Sequence, residues 1–133
     1  MKREFLIKFL NNTIIQSILY SPLIDYNQWS VLKLMKDNVK KIKRDEKIIN
    51  IGAGELKYKK YFNHCKYVSN DLCVCDNQWF YNEIDIKSSI YDIPVEDESF
   101  DFILCAQVLG HLEFPDLAFK KFNKTLKKME NYY

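Results

Sequence analysis

Hydrophobic residues recur every three or four positions through the first third of the chain. Phe5, Ile7, Phe9 and Leu10 are followed by Ile14, Ile15, Ile18 and Leu19, the spacing of one helix face. Ser21-Pro22 ends that helix, because a residue before proline is pushed out of the α region. A second helix is predicted from about Gln28, with Trp29, Leu32, Met35, Val39 and Ile42 along one side. The basic run Lys40, Lys41, Lys43 and Arg44 stands at its expected end. Such a run suits the negative pole of a helix dipole and reads as a solvated terminus. Residues 1–45 are therefore predicted to be an N-terminal helical segment.

From residue 46 the pattern changes to short apolar runs separated by polar turns. Ile48-Ile49-Asn50-Ile51 closes on Gly52-Ala53-Gly54, and Tyr67-Val68-Ser69 closes on Asn70-Asp71. Glu83-Ile84-Asp85-Ile86 alternates, and Phe100 to Ala106 is a longer apolar run. Between them lie a short helix candidate at Tyr58–Phe62 and a final one from about Asp116 to Met129. Leu117, Phe119, Phe122, Leu126 and Met129 form the apolar side of that last helix, and Pro115 suits its first turn. The alternation predicts one α/β domain over residues 46–133, built on an open, mostly parallel sheet.

Composition narrows the classes. Hydrophobic residues make up 47% and charged residues 29%, with a net charge of +2. That is a globular composition with no general attraction to nucleic acid or to anionic membranes. No segment approaches the ~18 consecutive apolar residues of a membrane-spanning helix. Lys8, Asn11, Asn12 and Gln16 interrupt the first apolar stretch, and no small-residue cleavage site follows it. With no export signal, Cys65, Cys73, Cys75 and Cys105 are expected to be reduced thiols in a cytoplasmic protein.

With only three glycines in the chain, the pair Gly52 and Gly54 stands out. A strand ending in Gly-Ala-Gly and running into a helix is a ligand-binding turn in open α/β sheets, where the crevice lies at the carboxyl ends of the strands. The third glycine of a dinucleotide fingerprint is absent, since Glu55 and Leu56 follow. Asp71 ends the second strand, where a carboxylate can accept two hydrogen bonds from a ribose diol. A surface-loop Asp is the competing reading of that residue.

The segments KIINIGAGELKYKKYF (47–62), YVSNDL (67–72), DIKSSIYDIPVEDESFDFILCAQVLGHL (85–112) and FPDLAFKKFNKTLKK (114–128) follow in register. Together they resemble class I S-adenosylmethionine-dependent methyltransferases, in particular the group called methyltransferase type 11. The resemblance implies a partial Rossmann-like, doubly wound sheet of about four strands in the order 3-2-1-4, preceded by the N-terminal helices. It implies S-adenosylmethionine as cofactor, with Gly52, Ala53 and Gly54 around its methionine part and Asp71 on its ribose hydroxyls. Val108 would line its reactive side. The acceptor would be a small molecule, lipid or sugar, no metal would be needed, and the catalytic residue is left open.

The chain departs from that family at several positions. Asn50 stands where an Asp usually ends the first strand, and an amide cannot balance the cofactor's ammonium. Ser89 stands where an acid usually meets adenine, with Asp85 the alternative if the link to Pro94 is longer here. Gly110 replaces a usual Glu. The family continues beyond the last helix through a Pro-Gly-Gly turn into further strands, so a truncated form is expected. Three functional readings follow: a methyltransferase acting on such an acceptor, a truncated methyltransferase that binds cofactor but has little or no turnover, or a non-catalytic module that pairs with another chain through its exposed fourth strand.

Three other groups of residues carry candidate chemistry. His64, Cys65, Cys73 and Cys75 do not match the spacing of structural zinc sites, so free thiols are favoured. His111 falls where a general base would sit, and a structural histidine is the competing reading. Trp79, Phe80 and Tyr81 are expected to fill the core rather than cover adenine.

Overall fold

The computed structural model describes residues 26–74 and 81–128. These fall into two units, divided between Lys40 and Lys41. The predicted first helix and its Ser21-Pro22 stop lie outside the described residues, as do Trp79 and Phe80.

The first unit contributes helix α1, Tyr26–Val39. Met35 and Val39 are buried, whereas Tyr26 and Leu34 are exposed, so the apolar stripe is the one the spacing predicts. The helix stops at Val39, and the basic run therefore lies in the turn beyond it. Ile42, expected on the same helix face, belongs to the second unit, where it is buried and its carbonyl accepts a 3.0 Å hydrogen bond from Nε2 of His64.

The second unit is a four-stranded sheet of β1 (Lys47–Ile51), β2 (Lys66–Asp71), β3 (Ile86–Lys87) and β4 (Phe102–Leu104), in the order β3-β2-β1-β4. Every pairing is parallel; Ile49 lies opposite Val68 on one side and Ile103 on the other. The partial Rossmann-like, parallel 3-2-1-4 sheet anticipated from the sequence is thus the observed one. β1 reads Lys-Ile-Ile-Asn-Ile because a central parallel strand is covered on both faces and needs apolar residues on each. Ile49 and Ile51 are fully buried and pack with Ile93, Phe100, Ala118 and Phe122. A second cluster, Ala53, Leu56 and Ile84, lies under the loops after the strands, with Tyr81 packed against it.

Several elements differ in extent from the sequence expectation, the third strand among them, which is Ile86–Lys87 rather than Glu83–Ile86. The segment after β1 forms only a 3-10 turn, Lys59–Phe62, because Gly52, Gly54 and Leu56 all take positive φ and use up the connection in turns. The last helix, α2, spans Pro115–Thr125 rather than reaching Met129. Leu126 turns extended there and forms a parallel bridge with Phe100. β4 is correspondingly shorter than the apolar run. Phe100 donates its amide to Thr125 O, its carbonyl accepts from Lys127 N at 2.9 Å, and Asp101 N donates to Lys47 O. The start of the fourth strand is thus clasped by the end of α2, a contact the sequence reading did not foresee.

Candidate functional site

A cavity of about 760 Å³ opens at the carboxyl ends of β1, β2 and β4. Its first wall is the loop after β1. Gly52 has φ +69° and Gly54 φ +51°, backbone conformations that side chains disfavour. A methyl group at Gly52 would lie 2.4 Å from Cγ2 of Val108, so here the loops after β1 and β4 touch. Ala53 N donates to Asn70 O, and Leu56 N to Ala53 O, which folds the loop over the tip of β2.

Asp71 closes that loop. Its Oδ2 accepts from Gly54 N at 2.9 Å and its Oδ1 from Cys73 N at 2.8 Å. A carboxylate offers about four lone-pair sites, so two backbone amides leave it able to accept further donors from the cavity. The bond to Cys73 N, two residues on, is the local turn contact of a loop Asp, and the bond to Gly54 N ties the same carboxylate to the glycine loop. Burial, and after it the same Asp71 charge, pushes the Cys73 thiol up, with Lys87 opposing.

Beyond β3 the wall is Ser88, Ser89, Ile90 and Tyr91. Ser89 Oγ accepts from Tyr91 N. Asn70 was missed by the sequence reading, although it is buried and lines the cavity. Its Nδ2 donates to Ile86 O, Ser88 O and Ser88 Oγ, holding the third wall to the second strand. Nothing in a Ser-Asn-Asp string distinguishes such a tie from a solvated turn. The fourth wall, after β4, includes Val108, His111 and Glu113; His111 is exposed, on a 3-10 turn at Leu109–His111.

Of the eight residues expected to hold a cofactor, Gly52, Ala53, Gly54, Asp71, Ser89 and Val108 are brought together around the cavity. Asn50 and Asp85 are not among its lining residues. Asn50 is 2% exposed and donates from Nδ2 to Tyr67 Oη at 2.8 Å. Asp85 precedes β3 rather than ending it, and its Oδ2 accepts from both N and Oγ of Ser69 at 2.8 and 2.7 Å. Asp85 is exposed and lies outside the cavity lining, whereas Ser89, the other position considered for an adenine partner, is part of it.

Among the described residues no group of three His, Cys, Asp or Glu side chains is arranged to hold a metal ion, and Cys75 lies outside them. No helix among them is long and apolar enough to cross a membrane. Burial raises the Cys105 thiol to about 11, so it stays protonated and unreactive near neutral pH. The Tyr58 hydroxyl is buried with no hydrogen-bond partner among the described residues, and burial pushes its pKa up.

Residues 49–129 match the family model described as a methyltransferase domain. No curated protein matches the chain. Solved structures do. The YcgJ protein from Bacillus subtilis superposes with a TM-score of 0.60 at 17% identity, over 75% of this chain and 47% of that one. A SAM-dependent methyltransferase from Thermotoga maritima gives 0.52 at 22% identity, over 84% and 56%. Phosphoethanolamine N-methyltransferase 2 from Haemonchus contortus, solved with phosphomonomethylethanolamine and S-adenosylhomocysteine, gives 0.54 at 17%, over 90% and 33%. The chain therefore spans about half or less of the length of these structures, and at such identities the likeness is one of fold.

Proposed function

The chain belongs to the methyltransferase domain family, and from that premise we propose that it binds S-adenosylmethionine and serves methyl transfer to a small-molecule, lipid or sugar acceptor. The observation that carries this reading is the meeting of the Gly52–Gly54 loop, Asp71 and Val108 around one cavity at the strand ends. The residues present fit the cofactor. The cavity lies within the ~300–1,000 Å³ typical of small-molecule sites, and Asp71 retains acceptor capacity beyond its two amides. Bound there, the sulfonium supplies an electrophilic methyl group open to in-line displacement, chemistry that depends chiefly on positioning.

The glycine loop lets backbone approach the methionine part, Asp71 accepts from the ribose hydroxyls, Ser89 stands on the adenine wall and Val108 flanks the reactive side. On the β4 wall, His111 and Glu113 are the groups able to take a proton from an acceptor. Free Cys65, Cys73 and Cys105 support a cytoplasmic location.

Calorimetric titration with S-adenosylhomocysteine tests the reading. Binding is expected, and Asp71→Asn, which removes charge but little volume, is expected to weaken it about tenfold, the scale of a lost charge-assisted hydrogen bond. No heat at millimolar ligand would overturn the assignment.

A second reading rests on a different observation: β4 is the last strand of the sheet, and among the described residues nothing pairs with its outer side at Phe102–Leu104. On that reading the chain is a cofactor-binding or non-catalytic remnant that associates through this edge.

A further inference from the structure

The proposed cofactor ends in an α-amino acid, which carries an ammonium and a carboxylate and needs a partner for each charge. The strand ends do not supply the first. Asn50 is uncharged, buried and bonded to Tyr67, Asp85 is not among the residues that line the cavity, and Asp71, at the tip of β2, is the group assigned above to the ribose hydroxyls. The glycine loop carries its own pair instead. Glu55 follows Gly54 directly and Lys57 comes two residues later, and both line the cavity. Leu56 between them has φ +57°, so the loop bends where the two charges flank it.

Glu55 is exposed and makes no hydrogen bond or ion pair among the described residues. The Lys57 ammonium lies 5.0 Å from the ring centroid of Tyr58, a cation–π placement that holds its position. The Tyr58 side chain is itself a cavity residue, 7% exposed, and its hydroxyl has no hydrogen-bond partner among the described residues. A buried hydroxyl without a partner next to a lysine is a place where a ligand oxygen completes the hydrogen bonding.

Resting on the cofactor reading above, we propose that Glu55 and Lys57 bind the amino-acid end of the cofactor, the Glu55 carboxylate taking the ammonium and the Lys57 ammonium the carboxylate. The charge that the first strand lacks at Asn50 is supplied from the loop. The apolar remainder of the cavity, with Ile90, Val108 and Leu112, then faces the uncharged nucleoside.

The test compares two ligands that differ in this end alone: S-adenosylhomocysteine, which has the amino acid, and 5′-methylthioadenosine, which lacks it. Calorimetry on the full chain should give a loss of about tenfold for S-adenosylhomocysteine with Glu55→Gln and with Lys57→Met. Affinity for 5′-methylthioadenosine should be unchanged in both. Glu55 is exposed, so an unchanged melting temperature checks that the variant folds. If the wild type binds both ligands and the variants lose affinity for neither, or for both equally, the Glu55–Lys57 assignment is overturned while the cofactor reading stands. If the wild type binds neither ligand, the cofactor reading itself fails and the assignment with it.

Discussion

A methyl group added at Gly52 would meet Val108 Cγ2 at 2.4 Å and Cγ1 at 3.3 Å, on a backbone at φ +69°. Gly52→Ala thus carries two costs: about 1–2 kcal/mol for a side chain in the left-handed region and about 1–3 kcal/mol for overpacking. Only the second depends on Val108. Urea denaturation of the cycle Gly52→Ala, Val108→Ala and the double variant should show a favourable coupling of about 1 kcal/mol or more. Strict additivity would mean that the two loops do not touch as described. Gly110 is the control, since nothing lies within 4 Å of a Cβ built there; Gly110→Ala should change stability by less than about 0.5 kcal/mol. Asn50 yields a third expectation. It is 2% exposed, with the Tyr67 hydroxyl as its partner, so Asn50→Asp places a carboxylate where one donor faces it. The loss should be about 1–3 kcal/mol near neutral pH and should shrink as acid protonates the new carboxyl. A loss independent of pH would show that charge is not its cause.

Among elements, the segment leading into β4 is held from two directions. Asp101 N donates to Lys47 O while Asp101 Oδ2 accepts from Lys47 N at 2.8 Å, and Oδ1 accepts from the Lys127 ammonium at 2.8 Å. Burial pushes the Asp101 carboxyl up, but the Lys127 hydrogen bond and charge, with the Lys47 and Asp101 amides, outweigh it and hold the pKa below the usual value. A carboxyl depressed in the folded state stabilises above its unfolded pKa of about 3.9, and that contribution is lost as pH falls through the lower folded value. The Lys127 side chain is 51% exposed, so solvent screens the pair and its share is small. Asp101→Asn should therefore cost about 1 kcal/mol near neutral pH, and the gap to wild type should close in strong acid. A gap that persists there would assign the cost to packing.

The sequence was informative wherever one residue type has few uses. The β-branched run of β1, the Gly52 and Gly54 turn and Pro115 at the start of α2 each have a local cause, and each is found where expected. The end of α2 was not legible, because Leu126 continues the helical spacing while a distant strand residue, Phe100, takes it out of the helix. Asn50 and Asp85 were misplaced relative to the cavity for a related reason. Position along a strand fixes which end a residue is near, but not that Tyr67 and Ser69 would draw those polar side chains away from the crevice. Asn70 and Tyr58 gave no sign at all, since their roles depend on what lies across the sheet.

At the scale of the whole molecule the open question is the fate of the β4 edge. An edge strand of apolar residues presents unpaired backbone groups to any strand that can reach it. The Phe100–Leu126 bridge with the Lys127 amide shields the start of that edge, which confines the exposed part to Phe102, Ile103 and Leu104. Ile103 pairs with Ile49 and packs against the Ile49–Phe122 cluster, so a charge there would test the core rather than the edge. Phe102 is half-buried and points to the opposite face of the sheet, which makes Phe102→Lys the more selective change. Sedimentation at micromolar concentration should show self-association of the wild-type chain and a shift toward monomer for Phe102→Lys, with the far-ultraviolet spectrum unchanged. A wild-type monomer whose Phe102–Leu104 amides exchange as slowly as those of Ile48–Ile51 would show instead that the chain covers its own edge, and would remove the ground for the remnant reading.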